Sequence, residues 1–169
     1  MLESFLPALQ GLLTTAKAMA SFDALRKGRK GDVRALIEEL KENTRLCFRV
    51  LNDNVDPGRV VPRFSTTEFD RLNKAGFNFN ALKSQRIRSF AGIEQSDLAS
   101  WPGKTTADLV ENIYDKIKSL KSLHDFKPDD PTIRRRIINV RKRLLLLLRH
   151  AKGGPVVRSV VPRPVAKGS

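Results

Sequence analysis

The chain has 169 residues, 40% of them hydrophobic and 30% charged. That balance fits one domain with a real core and argues against a disordered chain. A single cysteine excludes an internal disulfide framework and a cysteine-based zinc cluster. The two histidines could hold a metal only with help from carboxylates, and no motif clusters them, so no metal or cofactor is expected. The formal net charge is +14. Residues 131–169 hold eleven cations and no acid, so +11 of that total lies in the last 39 residues. Such asymmetry points to a polyanionic partner.

The opening stretch, residues 1–22, places Leu2, Phe5, Leu6, Leu9, Leu12, Leu13, Ala16 and Met19 at helical spacing, which predicts an amphipathic helix packed on the rest of the fold. It lacks the cationic start of a secretory signal, so export by that route is not expected. With Glu3, Lys17, Pro7 and Gly11 inside it, the stretch is also too interrupted for a membrane span. Residues 26–31, "RKGRKG", read as a basic glycine linker. Asp32 then has the chemistry of an N-cap for a helix whose stripe is Val33, Leu36, Ile37, Leu40, Thr44, Cys47 and Leu51. Glu38, Glu39, Lys41, Glu42 and Arg45 are expected on its outer faces, and Cys47 as a buried structural thiol. "NDNVDPG" supplies the turn.

"STTE", Ser65–Glu68, has the form of a capping box, opening a short helix that stops at Gly76. Phe77 and Phe79 in "GFNFN" either pin a loop to the core or stack on bases. "LKSQRIRSFAGIE" reads as another short helix, and Trp101 as a plug beneath the Pro102–Gly103 turn. "GKTT" is not a phosphate-binding loop: that motif needs a glycine five residues before its Gly-Lys pair, where this chain has Leu98. It instead begins a helix capped by Thr105 or Thr106, with the stripe Leu109, Val110, Ile113, Ile117, Leu120 and Leu123. After "DFKPDDP", Asp130 is positioned to cap the last helix with Pro131 in its first turn.

That last helix carries the charge. Ile133, Ile137, Val140, Leu144, Leu147, Leu148 and Ala151 share one face, and Arg134, Arg135, Arg141, Lys142, Arg149 and Lys152 share the other. Leu145 interrupts the polar side, so the second half is apolar almost all round. This predicts a central helix, cationic near its start. Residues 153–169, with three prolines and no acid, read as a flexible basic tail that adds Arg158 and Arg163 to the polyanion-binding set. The fold class is all-α: a compact bundle of about five to six helices over 1–152, with a basic C-terminal helix and an extended tail. The leading functional expectation is a non-enzymatic, cytoplasmic module that engages nucleic acid or another polyanion. A scaffold binding an acidic protein needs the same charges. A third reading is an effector that associates peripherally with anionic membrane, or permeabilises it, through the apolar helix of residues 1–22.

Asn139, Arg143 and His150 fall at the border of the two faces, with Arg136 close beside them. Arginine followed by histidine after six residues resembles the Arg-x(4–6)-His motif of the HEPN family of small helical ribonucleases. The resemblance implies a homodimer in which two motifs meet, with metal-independent RNA cleavage. His150 would serve as general acid or base, Arg143 would stabilise phosphate charge and Asn139 would help position it. That family usually has a polar residue just after the arginine, where this chain has Leu144. The match spans eight positions, and the chain is not assigned to the family on it.

Overall fold

A computed structural model describes residues 7–153, and the predicted all-α bundle is what it shows. Its helices are α1 (Pro7–Gln10), α2 (Thr15–Arg26), α3 (Gly31–Leu51), α4 (Pro57–Val60), α5 (Thr67–Lys74), α6 (Thr106–Phe126) and α7 (Ile133–Lys152). Helix α7 lies at the centre, touching α6, α3, α2 and α1. Leu144, Leu145, Leu146, Leu147 and Leu148 are each at most 2% exposed, because neighbours close around that half of the helix from every side. Each leucine buried in this way contributes about 1.5–3 kcal/mol.

The N-terminal helix is not continuous. It breaks between Gln10 and Thr15, where Gly11 lowers helix propensity and the Thr14 hydroxyl accepts from the Lys17 amide at 3.3 Å, capping a new start. Helix α2 then runs on through Arg26, leaving Lys27–Lys30 as the connector. Leu9, Ala18 and Phe22 are buried and Leu12, Leu13 and Met19 partly so, whereas Ala16 is exposed. Leu2, Phe5 and Leu6 of the predicted stripe lie outside the described residues, as does the tail beyond Gly153.

Helix α3 buries Leu36, Ile37, Leu40, Thr44 and Cys47 as its stripe predicts. Two expectations about it need correction. Asp32 is not the cap: it sits in the first turn and pairs with Arg71 at 2.8 Å. Glu39 is not on an outer face; it is 7% exposed. Its carboxylate accepts from the amides of Glu68 (2.8 Å) and Phe69 (3.1 Å) and from the Ser65 hydroxyl (2.8 Å). One turn along, Asn43 exchanges side-chain bonds with the Ser65 backbone at 2.8 and 2.9 Å. The predicted Ser65–Glu68 capping box therefore does not form. An anion from another helix satisfies the start of α5, and Glu68 pairs with Arg71 instead. The α5 helix does stop at Gly76, whose φ of +72° suits glycine.

Phe69, from α5, stacks on Tyr114 of α6 with centroids 4.2 Å apart and on Phe79 at 5.1 Å; Phe77 meets Phe79 edge-on at 5.4 Å. Phe77 and Phe79 are thus core pins, which removes them as a base-stacking platform. The Tyr114 hydroxyl is buried near enough to Glu39 to feel its charge, yet it has no hydrogen bond of normal geometry; burial first, then Glu39, pushes the phenol well above its ordinary value.

Residues 82–94 do not form the predicted helix, and the irregular stretch continues to 104. Leu82, Ile87, Ile93 and Leu98 are their buried anchors, at spacings that fit no helical stripe. Ile87 instead exchanges backbone bonds with Gly103 (2.8 Å) and Lys104 (2.9 Å), and Gly92 turns the chain at φ +88°. Trp101 is buried beneath the Pro102–Gly103 turn. Thr105 and Asp108 form a full capping box at the start of α6. At α7 the cap lies two residues later than predicted. Asp130 closes the preceding turn by accepting from the Thr132 amide at 2.8 Å, and Thr132 is the N-cap.

Cys47 is fully buried, and burial pushes its thiol up to about 12. The folded protein is therefore expected to resist maleimide labelling at neutral pH and to label fast once unfolded in denaturant. Rapid labelling of the native protein would contradict this packing.

Candidate polyanion-binding groove

The predicted cationic face of α7 is divided by the fold. Arg141 is only 7% exposed and lies inside: its Nη1 donates to Asn52 Oδ1 at 3.0 Å and its guanidinium carbon sits 5.3 Å from the Phe48 ring. Arg134 is exposed but donates to the Val50 carbonyl at 3.3 Å, near the C-terminus of α3 where a cation is favoured. Lys142 faces Asp97 at 3.6 Å, Arg149 lies 4.5 Å over the Phe90 ring, and Lys152 donates to Ser21 Oγ at 3.2 Å. These five side chains fasten α7 to its neighbours. Arg158 and Arg163 lie outside the described residues.

Arg135, exposed on the same helix, belongs to a different place. With Arg136, Asn139 and Thr132 of the α7 start, and Lys116 of α6, it lines a groove of about 320 Å³. Residues 135, 136, 139 and 143 recur at three- and four-residue spacing, so α7 presents them as one stripe toward α6. Arg143, one turn beyond Asn139, ties α7 to α6, donating from Nε to Asn112 Oδ1 at 2.9 Å and from Nη1 to the Asn139 carbonyl at 3.1 Å. No acid lines this groove. Burial first, then Arg143 and Arg136, holds the Lys116 ammonium below the ordinary lysine range, against a weaker pull from Asp97. The Arg143 guanidinium is likewise lowered by burial, again opposed by Asp97.

A second, broader and more open surface depression adjoins it. Lys118, Ser119, Ser122, Leu123 and Phe126 of α6 line it together with Arg136, which both share. Lys118 is engaged with Asp70 at 2.5 Å.

The trio singled out by the Arg-x(4–6)-His resemblance is only partly assembled. Asn139 and Arg143 meet, but His150 lies about 10 Å further along the helix and faces another residue. Its Nε2 is 2.8 Å from Thr106 Oγ1. The Thr106 hydroxyl donates its one hydrogen to the Lys83 carbonyl at 2.7 Å, so the histidine is the donor in the contact they share. Burial first, then the Lys83 charge, pushes its imidazole below the ordinary value, while the Gln85 backbone opposes. Among the described residues no group of three or more His, Cys, Asp or Glu could hold a metal ion, and no helix is long and apolar enough to cross a membrane.

Lys116, Lys118 and Phe126 were not among the candidates drawn from sequence. A signal for them exists: Asn112, Lys116, Ser119, Leu123 and Phe126 recur along one face of α6, and Phe126 continues the apolar stripe one step past its last buried turn. Compared with protein-family models, with curated proteins and with solved structures, the chain matches none.

Proposed function

We propose that this protein is a non-enzymatic helical module that binds nucleic acid by its phosphate backbone, through the groove between α6 and α7. One observation carries the reading: Lys116, Arg135 and Arg136 converge on a groove whose lining contains no acid. Bringing like charges together costs free energy in the unbound protein. A phosphate chain offsets that cost and releases its counterions, which is the main source of affinity for such surfaces. Asn139 and Thr132 add neutral groups that can bond to phosphate or sugar oxygens. The charge of the segment beyond residue 130 acts in the same direction at longer range.

The test is a salt titration of RNA and DNA binding by the intact chain and by K116Q/R135Q/R136Q. Log affinity falls linearly with log salt for the parent. In the variant the slope becomes shallower by about two on single strands and nearly three on duplex, with at least a tenfold loss of affinity at low salt. Arg59→Gln, an exposed cation on α4, serves as a control for net charge alone. Equal slopes for parent and triple variant, or no binding at low salt, overturn the proposal. An acidic protein would be attracted by the same cations, and partners that persist in a pull-down after nuclease digestion would favour that class instead.

A further inference from the structure

We infer that the nucleic acid this groove takes is single-stranded, with an unpaired base stacked on Phe126 and the following phosphates on Arg136, Arg135 and Lys116. The inference rests on the proposed function and specifies its ligand. Phe126 is 85% exposed, the one large hydrophobic side chain among the described residues that is left in solvent. The aromatics that pack on α6 higher up, Phe69, Phe77 and Phe79 around Tyr114, are spent on one another. Phe126 does not stand alone on a polar surface. It borders an open surface depression with Leu123 on its apolar side, Ser119 and Ser122 as hydroxyl donors and acceptors, and Arg136 at the border with the cationic groove.

An apolar ring and hydroxyls from α6, then three cations, Lys116 of α6 with Arg135 and Arg136 of α7, therefore follow one another along the seam between the two helices. From Phe126 to Lys116 the distance along α6 is about 15 Å. This is the order of groups that a single strand needs: a ring for the face of a base, hydroxyls for its edge, and positive charge for the backbone beyond it. A duplex cannot use the first of these, because its bases are stacked and offer no open face to a side chain at the groove surface. Charge alone would favour the duplex, whose phosphates are more densely spaced and release more counterions. A preference for single strands is therefore a signature of the ring and not of the cations.

The probes are end-labelled (rU)12 and (dT)12 and a 12-base-pair duplex, followed by fluorescence anisotropy with the full chain. The parent should bind at least one of the single strands about tenfold or more tighter than the duplex. Phe126→Ala should weaken that strand about five- to a hundredfold, leave the duplex unchanged and leave the salt slope unchanged. Phe126→Trp should restore binding, and its added fluorescence should be quenched by the strand. Because Phe126 is exposed at the end of α6, both variants should melt with the parent in circular dichroism. Tighter binding of (rU)12 assigns RNA, and tighter binding of (dT)12 assigns DNA.

If Phe126→Ala binds single strands as the parent does while K116Q/R135Q/R136Q loses them, the backbone reading stands and the stacking inference falls. If the triple variant also binds unchanged, both fall. If Phe126→Ala instead alters sedimentation of the free protein, the ring belongs to a contact between copies and the inference is overturned.

Discussion

Glu39→Ala lowers the unfolding free energy by about 3 kcal/mol, a large fraction of what a domain of this size possesses. The carboxylate is buried and accepts three hydrogen bonds, two of them from the amides that open α5. Alanine leaves those donors without an acceptor in a place that water reaches poorly, and each charged-group bond of this kind is worth about 1.5–3 kcal/mol before compensation. Glu39→Gln keeps one acceptor oxygen and its shape, so about half of the loss is expected. Urea unfolding followed by circular dichroism should show the alanine midpoint falling by roughly 1–2 M with little change in slope. Glu42→Ala, exposed on the same helix and paired with Arg45, should move it hardly at all. Equal effects at positions 39 and 42 would mean that the contact with α5 does not hold in solution.

Leu145→Ala should cost about 3 kcal/mol, within the range of about 2–5 kcal/mol for fully buried leucines. Position 145 is the informative one of the five, because on a helical wheel it falls among the cations. If that side of α7 met solvent, the substitution would change stability by less than about 0.5 kcal/mol. In the fold it is fully buried, so truncation opens a cavity. Ile138, half-buried on the same helix, should lose less when cut to alanine. A Leu145→Ala protein that unfolds at the parent's urea concentration would place α7 at the surface and not at the centre.

The main architecture was legible in sequence because its signals are local. Stripes on α3, α6 and α7 mark their buried faces, Thr105 and Asp108 spell a cap within four residues, and five consecutive leucines require cover on several sides. Two misreadings were local, the break at Gly11–Thr14 and the α7 cap at Thr132 in place of Asp130; the larger ones depended on partners distant in the chain. Glu39 looks solvated on its own helix and is claimed by α5, 29 residues on. Arg141 looks cationic and exposed until Asn52 and Phe48 are brought against it. Residues 82–104 contain good helix formers, but their buried anchors answer to the surrounding core and not to a helical period. The groove was half legible: Asn139 and Arg143 do share a face, as spacing requires. What one helix cannot disclose is that α6 adds Lys116 and Phe126 opposite that face, while His150 is taken up by Thr106.

The position of α7 has a consequence for how the chain is made. Ribosomes deliver residues in order at about 5–20 per second, so α2 and α3 emerge roughly 5–20 seconds, and α6 about 1–4 seconds, before the helix against which they close. Until Leu144–Leu148 appear, Leu36, Ile37, Phe48, Ile113 and Ile117 have no complete cover, and a nascent chain halted within α6 presents sticky faces to every neighbour. Closure of the core around α7 therefore waits for the most basic of the described helices. The arginines that open α7 reach the cell while the core is still incomplete, and their mutual repulsion helps keep unfinished chains apart until the leucines behind them arrive.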